Sequence, residues 1–320
     1  MQATDGAPVT PEAKAVAVDS ILRPLFQRLA VSRTAVRLAH SRGLSRAARR
    51  FVIAEGLDEA IRGAAELNAQ GVGVTLDNLA ESTRSLGEAE AAAAEVRSIL
   101  EAAEAAGLPD TNVSVKLTGF GIDLSEADCY RLTEGVVRRA AAGGRLVWID
   151  MESSAYVDRT LATYRRLREA GLENVGVVLQ AYLYRTPQDL EALSPYRPAV
   201  RIVKGAYAEP PRRALQDRQT IRLAFRRLVM ASLQNGNFTA IATHDDELIG
   251  PLRQSLREAG IDRTRFEWQM LYGIRPELAR RLVAEGEHVR LYVPFGRAWF
   301  PYFMRRLAER PADLWLLLGR

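Results

Sequence analysis

The chain has 320 residues, of which 48% are hydrophobic and 26% are charged, the balance of a globular protein with a sizeable core. This length suits one α/β domain with additions. The sequence has no charged segment followed by a short apolar run at its start and no stretch of about 18 apolar residues, so it predicts neither a secretory signal nor a spanning helix. We therefore expect a cytoplasmic protein. The single cysteine, Cys129, excludes a disulfide or a cysteine-based zinc site within the chain.

Basic residues give the chain a formal net charge of +5. Acidic residues are interspersed with the arginines along the predicted helices, which is typical of a solvated, ion-paired surface. The segment from Arg33 to Arg50 is more basic, and contact with a membrane or a partner stays open for it. Only Lys14, Lys116 and Lys204 are lysines among 44 basic residues, which suggests positions that need a compact, titratable ammonium group.

The chain divides by pattern into an N-terminal helical part and a longer alternating part. The first residues are small and polar, which predicts a disordered leader, and two or three helices with breaks near Pro24 and Gly43 follow. All residues after the leader are predicted to form one domain. The predicted divisions are a leader at 1–12, N-terminal helices at 13–70, a barrel at 71–310 and a C-terminal tail at 311–320.

Short β-branched runs alternate with helical stretches from Val72 onwards. Successive runs begin about 31 residues apart on average, which suits a repeated βα unit. Eight near-continuous apolar strands alternating with helices favour a closed, parallel (β/α)8 barrel, with a doubly wound open sheet as the alternative. The predicted strands are Val72–Leu76, Val113–Leu117, Leu146–Met151, Val175–Gln180, Val200–Lys204, Phe238–Thr243, Phe266–Met270 and His288–Val293. Among the predicted helices are Leu86–Ala106, Arg212–Gln234 and Asp246–Ala259.

Polar side chains stand at the ends of nearly all the predicted strands, where such barrels place their chemistry. Several are charges flanked by apolar strand residues, and a charge so placed must be paired or face a ligand. His244 has no second histidine at ligand spacing, so no metal site is predicted. The polar strand-end residues are Asp77, Glu81, Lys116, Asp150, Glu152, Gln180, Arg201, Lys204, Thr243, His244, Gln269, Tyr272 and Tyr292.

A helix predicted after the eighth strand carries a polar stripe beside an apolar one. The stripe consists of Tyr302, Arg305, Arg306 and Glu309, at helical spacing. Adjacent guanidinium groups bind carboxylates and phosphates in a bidentate manner, so the stripe indicates an anionic ligand near the barrel mouth. A solvated helix face is the alternative.

These segments, taken in order, resemble the proline dehydrogenase family, including the matching domain of bifunctional proline-utilisation proteins. The likeness covers about residues 72–310 and depends on an ordered set of motifs. The motifs are VSVKLTG around Lys116, WIDME around Asp150, VVLQAYL around Gln180, RIVKGAY at Arg201–Tyr207, ATHD at Ala242–Asp245, QMLYG at Gln269–Gly273 and YxxRRxxE ending at Glu309.

The resemblance implies a distorted barrel whose eighth helix lies over the mouth, with FAD at the strand ends. Asp150 and Arg201 would be the catalytic residues. The implied FAD contacts are Met151, Gln180, Arg201, Val203, Lys204, Gly205, Ala206, Thr243 and His244. The implied substrate residues are Lys116, Tyr207, Leu271, Tyr292, Tyr302, Arg305, Arg306 and Glu309, together with Asp150.

The implied reaction oxidises L-proline to Δ1-pyrroline-5-carboxylate by hydride transfer from C5 to flavin N5, the first step of proline degradation. The family passes the electrons to a membrane quinone, so contact with the inner face of the membrane is also implied. Lys116 and the two arginines of the last helix would hold the substrate carboxylate, and Glu309 would orient Arg306. Asp150 would pair with Lys116, while Asp77 and Glu81 would line the entrance.

Two other functions are compatible with parts of the sequence. A class I aldolase would use Lys116 or Lys204 to form a Schiff base, and it would be colourless, whereas a flavoenzyme is yellow. A nucleic-acid-binding protein would exploit the arginines and would show steeply salt-dependent affinity. The acidic residues between the arginines argue against this second alternative.

We predict that Arg305→Met and Arg306→Met each raise KM for proline while FAD content stays normal, because these residues would hold a carboxylate. Loss of a charge-assisted hydrogen bond of about 1.5–3 kcal/mol corresponds to roughly a ten- to hundredfold rise in KM. Steady-state kinetics and flavin content of both variants test this. Loss of FAD at an unchanged KM would contradict it.

Overall fold

The fold described here is that of residues 56–296 in a computed structural model. The leader, the predicted helices before residue 56, the predicted last helix and the tail lie outside the described residues. The predicted single domain over 13–320 therefore stays a prediction. Within the described part, no helix is both long enough and apolar enough to cross a membrane.

Eight parallel strands form a closed barrel in which each strand pairs with its neighbours in chain order and β8 pairs with β1. The predicted (β/α)8 barrel is confirmed, and the open doubly wound sheet is wrong. The strands are Val72–Asn78 (β1), Thr111–Val115 (β2), Val147–Ile149 (β3), Val175–Gln180 (β4), Ala199–Val203 (β5), Phe238–Ala242 (β6), Phe266–Leu271 (β7) and Val289–Phe295 (β8).

Helices precede β1 and lie between the strands. Most of their boundaries follow the predicted ones, but the helix predicted from Arg212 begins at Arg218. The Asp217 side chain accepts a hydrogen bond from the Thr220 N–H at 2.7 Å and so caps the helix there. The helices are Leu57–Ala69 (α1), Leu86–Ala105 (α2), Glu126–Ala142 (α3), Val157–Glu169 (α4), Thr186–Leu193 (α5), Arg218–Gln234 (α6), Asp246–Glu258 (α7) and Pro276–Ala284 (α8).

The strands are buried on both faces because helices cover the outside of the barrel and side chains fill the inside. All residues of β3 and β4 are buried, for example. Lys116, Asp150 and Lys204 come just after the ends of β2, β3 and β5. Their charged groups therefore stand at the carboxyl end of the barrel.

Gly176 on β4 leaves space for the largest side chain inside the barrel. A Cβ atom at Gly176 would lie 2.6 Å from two ring atoms of Trp148, which is fully buried. The Trp148 ring in turn lies under the Arg201 guanidinium, whose Cζ is 4.5 Å from the ring centroid. Gly176 on β4 thus leaves room for the Trp148 ring, which in turn contacts Arg201 on β5.

We predict that Gly176→Ala lowers the free energy of unfolding by about 1–3 kcal/mol, because the added methyl group overpacks the Trp148 ring. Urea denaturation measures this change. Gly135→Ala is the matched control: it lies in α3 with no atom within 4 Å of its Cβ position, and a helical glycine changed to alanine gains about 0.5–1 kcal/mol. Equal stability of the two variants would contradict the prediction.

Candidate active site

Four predicted residues, from four different strands or the positions just after them, meet at the carboxyl end of the barrel. Asp150 lies between two donors: its Oδ1 accepts from Arg201 Nη1 at 2.8 Å, and its Oδ2 accepts from the Tyr292 hydroxyl at 2.7 Å. Lys116 Nζ lies 3.3 Å from the Tyr292 oxygen and 3.5 Å from Asp150 Oδ2. We call Lys116, Asp150, Arg201 and Tyr292 the mouth cluster.

Lys116 has a closer partner than the predicted one. Its Nζ donates to both carboxylate oxygens of Asp77, at 2.9 and 2.8 Å, whereas Asp150 is farther away. The Asp77 side chain is only 1% exposed, so it lies buried beside Lys116 and does not line the entrance as predicted. Glu81 is half-buried in the loop after β1, and its place at the entrance stays a prediction.

The charges around Lys116 and Tyr292 fix their protonation states. Burial disfavours the Lys116 ammonium, but the carboxylates of Asp77 and Asp150 outweigh burial and hold its pKa above the ordinary value. Burial, then the charge of Asp150, raises the pKa of Tyr292 well above its ordinary value. At neutral pH the mouth cluster therefore contains a charged ammonium and a neutral phenol.

Arg201 is the most deeply buried cation of the mouth cluster, at 3% exposure. Its Nε donates to Gln269 Oε1 at 2.6 Å, and its Nη1 also donates to Ser114 Oγ at 3.1 Å. Burial lowers the pKa of Arg201, while Asp150 opposes that effect. Its Nη2 is buried and has no hydrogen-bond partner within residues 56–296. One charged donor of Arg201 is thus without an acceptor within the described residues.

Lys204 and Thr243 meet at a second site, around the first turn of α7. Lys204 Nζ and Arg222 Nε both donate to Asp245 Oδ2, each at 2.8 Å. Asp245 also caps α7 by accepting from the Glu247 N–H, and its own N–H donates to Thr243 Oγ1. Lys204 stays one-third exposed, so its ammonium can still reach a ligand.

His244 joins the loop after β6 to the end of β7. Its Nε2 accepts from the Leu271 N–H at 2.9 Å, so a neutral His244 carries its proton on Nδ1. Arg275 donates to the His244 carbonyl at 2.8 Å. Leu271, a predicted substrate contact, is thus placed beside a predicted cofactor contact.

Gln180 and Met151 are buried at the ends of β4 and β3. Gln180 Nε2 donates to the Glu152 carbonyl at 2.9 Å. The Glu152 carboxylate accepts from the Thr118 N–H and hydroxyl, at 3.1 and 2.6 Å, while burial raises its pKa. Sequence reasoning noted Glu152 at a strand end but gave it no role. Here it holds the loops after β2 and β3 together.

β5 ends at the half-buried Val203, and the loop that follows carries Gly205, Ala206 and Tyr207. Gly205 has a φ of +117°, and a Cβ there would lie 2.3 Å from the Tyr182 ring. Only glycine therefore suits this close approach. The Tyr182 hydroxyl donates to the Tyr207 carbonyl, while the Tyr207 side chain is 40% exposed.

One contact of this loop was missed by sequence reasoning. Glu209 accepts hydrogen bonds from the Ser154 N–H and hydroxyl, at 2.6 and 2.5 Å, and Arg213 donates to the same hydroxyl. The loop after β5 is thereby tied to the loop after β3. Both residues lie in irregular segments without periodicity, so no sequence pattern indicates the pair. The predicted Tyr302, Arg305, Arg306 and Glu309 lie outside the described residues.

A closed parallel barrel with buried, paired charges at its carboxyl end defines a barrel enzyme. A sequence profile described as Proline dehydrogenase matches residues 60–314. Proline dehydrogenase 1 of Bacillus subtilis (strain 168) is 39% identical over 92% of this chain and 96% of its own length. Proline dehydrogenase of Deinococcus radiodurans is 40% identical over 83% of this chain and 87% of its own length.

The chain therefore belongs to the proline dehydrogenase family of flavin-dependent oxidoreductases. It is an enzyme of proline oxidation, the first step of proline degradation. Its fold is similar to that in the crystal structure of proline utilization A from Bdellovibrio bacteriovorus, a protein inactivated there by N-propargylglycine. The TM-score is 0.81 at 21% identity, and the match covers 99% of this chain and 40% of that one.

Proposed function

We propose that this chain binds FAD at the carboxyl end of the barrel and oxidises L-proline to Δ1-pyrroline-5-carboxylate, with a quinone as the final electron acceptor. The observation that carries the proposal is the arrangement of Arg201. Its guanidinium is buried and held on three sides, yet one nitrogen lacks a partner among the described residues. A buried donor of this kind calls for an acceptor supplied by a ligand.

The residues present fit a flavin. Its ring offers carbonyl and imine acceptors, and it gains negative charge on reduction. Arg201 lies in β5 and Lys204 directly follows it, so both cations would be placed to hold a flavin bound at this end of the barrel and to stabilise that charge. The close approach of Gly205 to Tyr182 holds the loop that follows Lys204 against the Tyr182 ring. FAD, when bound, would supply the acceptor for the hydride that leaves C5.

Lys116 and Tyr292 are suited to the substrate. Proline carries a carboxylate and a ring of CH₂ groups, so its site needs a cation and an apolar wall. The Lys116 ammonium is kept charged by Asp77 and can bind the carboxylate with the two predicted arginines of the last helix. The Tyr292 hydroxyl is already engaged by Asp150 and Lys116, so its ring offers only carbon to the substrate.

The positive charges also prepare the substrate amine. Proline must lose an ammonium proton before C5 can give up a hydride, and nearby cations lower the pKa of that ammonium group. Asp150 is bound by Arg201 and Tyr292, so in this arrangement it orients both residues. We propose this orienting role for Asp150 in place of proton transfer.

The aldolase alternative is disfavoured by the lysines themselves. A Schiff-base lysine must be neutral to attack a carbonyl, which requires a lowered pKa. Lys116 has the opposite shift because of Asp77 and Asp150, and Lys204 is ion-paired with Asp245. Neither lysine is prepared for nucleophilic attack.

We predict that Arg201→Ala weakens FAD binding at least about tenfold, the loss expected for one charge-assisted hydrogen bond. Lys204→Ala should have a smaller effect because its ammonium is more exposed. Titration of the apoprotein with FAD measures the affinity, and anaerobic bleaching of the flavin by proline measures its reduction.

The control for Arg201→Ala is Arg145→Ala. Arg145 is also buried, but it precedes β3, at the other end of the barrel, and donates to the Thr111 carbonyl. Its loss should reduce stability and leave FAD affinity unchanged. A purified protein that binds no FAD, or an Arg201→Ala variant with normal affinity and reduction, would refute the proposed cofactor site.

The Tyr292 wall predicts substrate preference. A hydroxyl on C4 of proline would face this wall at a desolvation cost of about 1–3 kcal/mol, so we expect L-proline to be preferred over trans-4-hydroxy-L-proline about ten- to hundredfold in kcat/KM. Tyr292→Ser should narrow the gap, chiefly by losing proline activity. Tyr292→Phe keeps the ring and should keep the preference. Equal use of both substrates by the unmodified enzyme would contradict the prediction.

A further inference from the structure

The inside of this barrel contains a column of polar side chains, where barrels of this type usually have Val, Ile and Leu. Four residues form it: Arg201 from β5, Gln269 and Glu267 from β7, and Arg290 from β8. Their exposure is 5% or less. Strands β5 and β7 are not neighbours, so their side chains meet only across the barrel interior. We call these four residues the interior column.

Hydrogen bonds connect the column from the mouth to its other end. Arg201 Nε donates to Gln269 Oε1 at 2.6 Å, and Gln269 Nε2 donates to Glu267 Oε1 at 2.5 Å. Arg290 Nε then donates to both Glu267 oxygens at 3.0 Å. Arg290 Nη2 donates to Asp110 at 2.5 Å, beyond the amino end of β2.

Gln269 gives the column a direction. An amide has an accepting oxygen on one side and a donating nitrogen on the other. The Glu267 carboxylate only accepts, so it binds the amide nitrogen and turns the oxygen towards Arg201. With a neutral residue in place of Glu267, the amide could rotate and present its nitrogen to a guanidinium that needs an acceptor. The orientation of Arg201 therefore depends on a carboxylate that does not touch it.

The Glu267–Arg290 ion pair, at the end of the column away from the mouth, is expected to contribute less stability than apolar residues would. Buried charges lose hydration that an ion pair only partly restores, and apolar residues of similar size are often more stable. Gly73 on β1 leaves the space needed: a Cβ there would lie 2.5 Å from Asp110 Oδ2 and 3.1 Å from Arg290 Cζ. His288 adds contacts to Asp110 and Glu267, at 2.9 and 3.2 Å.

We propose that Glu267 and Gln269 are positioning residues for Arg201. They hold its Nε side, so that Nη1 stays on Asp150 and Nη2 is left for a ligand. The inference rests on the proposed function, in which Arg201 binds FAD. Its consequence is that a change in the barrel interior alters flavin binding and the flavin potential without touching the mouth.

Gln269→Met tests the link with the least disturbance. Methionine fills a similar volume and leaves the Glu267–Arg290 ion pair intact, so all charges are kept. We expect FAD affinity to fall about tenfold, as for one hydrogen bond to a charged group. The midpoint potential of the bound flavin should also fall, because the Arg201 cation is less well placed to stabilise reduced flavin. Unchanged affinity and potential would overturn the proposal.

A swap of the two β7 residues provides the rescue. Glu267→Gln alone should weaken FAD binding like Gln269→Met. In the double variant E267Q/Q269E, the carboxylate faces Arg201 and the amide faces Arg290, so both guanidinium groups regain an acceptor at the original net charge. We expect its FAD affinity to return to within about threefold of the unmodified protein. If a single variant folds poorly, the double variant still tests the proposal. A folded double variant that does not recover FAD affinity would contradict it.

Glu287→Gln is the matched control. Glu287 is also a buried carboxylate next to a strand, and its polar partners within residues 56–296 are Arg253 at 2.9 Å and Trp268 Nε1 at 3.3 Å, neither of which belongs to the interior column. The Glu287→Gln variant should have lower thermal stability and unchanged FAD affinity. If Arg201→Ala loses FAD and Gln269→Met does not, the proposed function stands and the positioning role falls. If neither loses FAD, the flavin site itself is refuted.

Discussion

The structure of the mouth depends on the need to neutralise the buried guanidinium of Arg201. A buried charge costs several kcal/mol of hydration unless it is paired and hydrogen-bonded. Asp150 supplies the counter-charge, Ser114 and Gln269 supply acceptors, and the Trp148 ring lies against the guanidinium face. These groups come from strands β2, β3 and β7 or their ends. Arg201 can be buried only when the barrel closes and brings those strands together.

The same requirement sets the positions of the other mouth residues. Asp150 uses its first oxygen for Arg201 and its second for the Tyr292 hydroxyl, which orients the phenol ring. Lys116 therefore needs another carboxylate at short distance, and Asp77 on β1 provides it. Each charge is satisfied by a partner from a different strand. Such an arrangement holds its groups in place before a ligand binds, which favours electrostatic stabilisation during catalysis.

Sequence patterns predicted the barrel well because strand burial on both faces is visible as apolar runs, and charges such as Lys116 interrupt these runs. The partners of those charges could not be predicted in the same way. Lys116 binds Asp77, which lies 39 positions earlier, and Arg201 binds Gln269 across the barrel. These pairs depend on strand register and stagger, and neither leaves a local signal. For this reason Asp77 was expected at the entrance, and Gln269 was noted only as a strand end.

The scarcity of lysine can now be given a structural reason at two positions. Lys116 and Lys204 each place one ammonium 2.8 Å from a carboxylate oxygen, on Asp77 and Asp245 respectively. An arginine carries five N–H donors in a planar fork and would leave some of them buried without acceptors. A lysine at either position satisfies its carboxylate with a single compact ammonium group. Arginine dominates elsewhere, since an exposed fork can be hydrated, and a buried arginine such as Arg201 has acceptors on three sides.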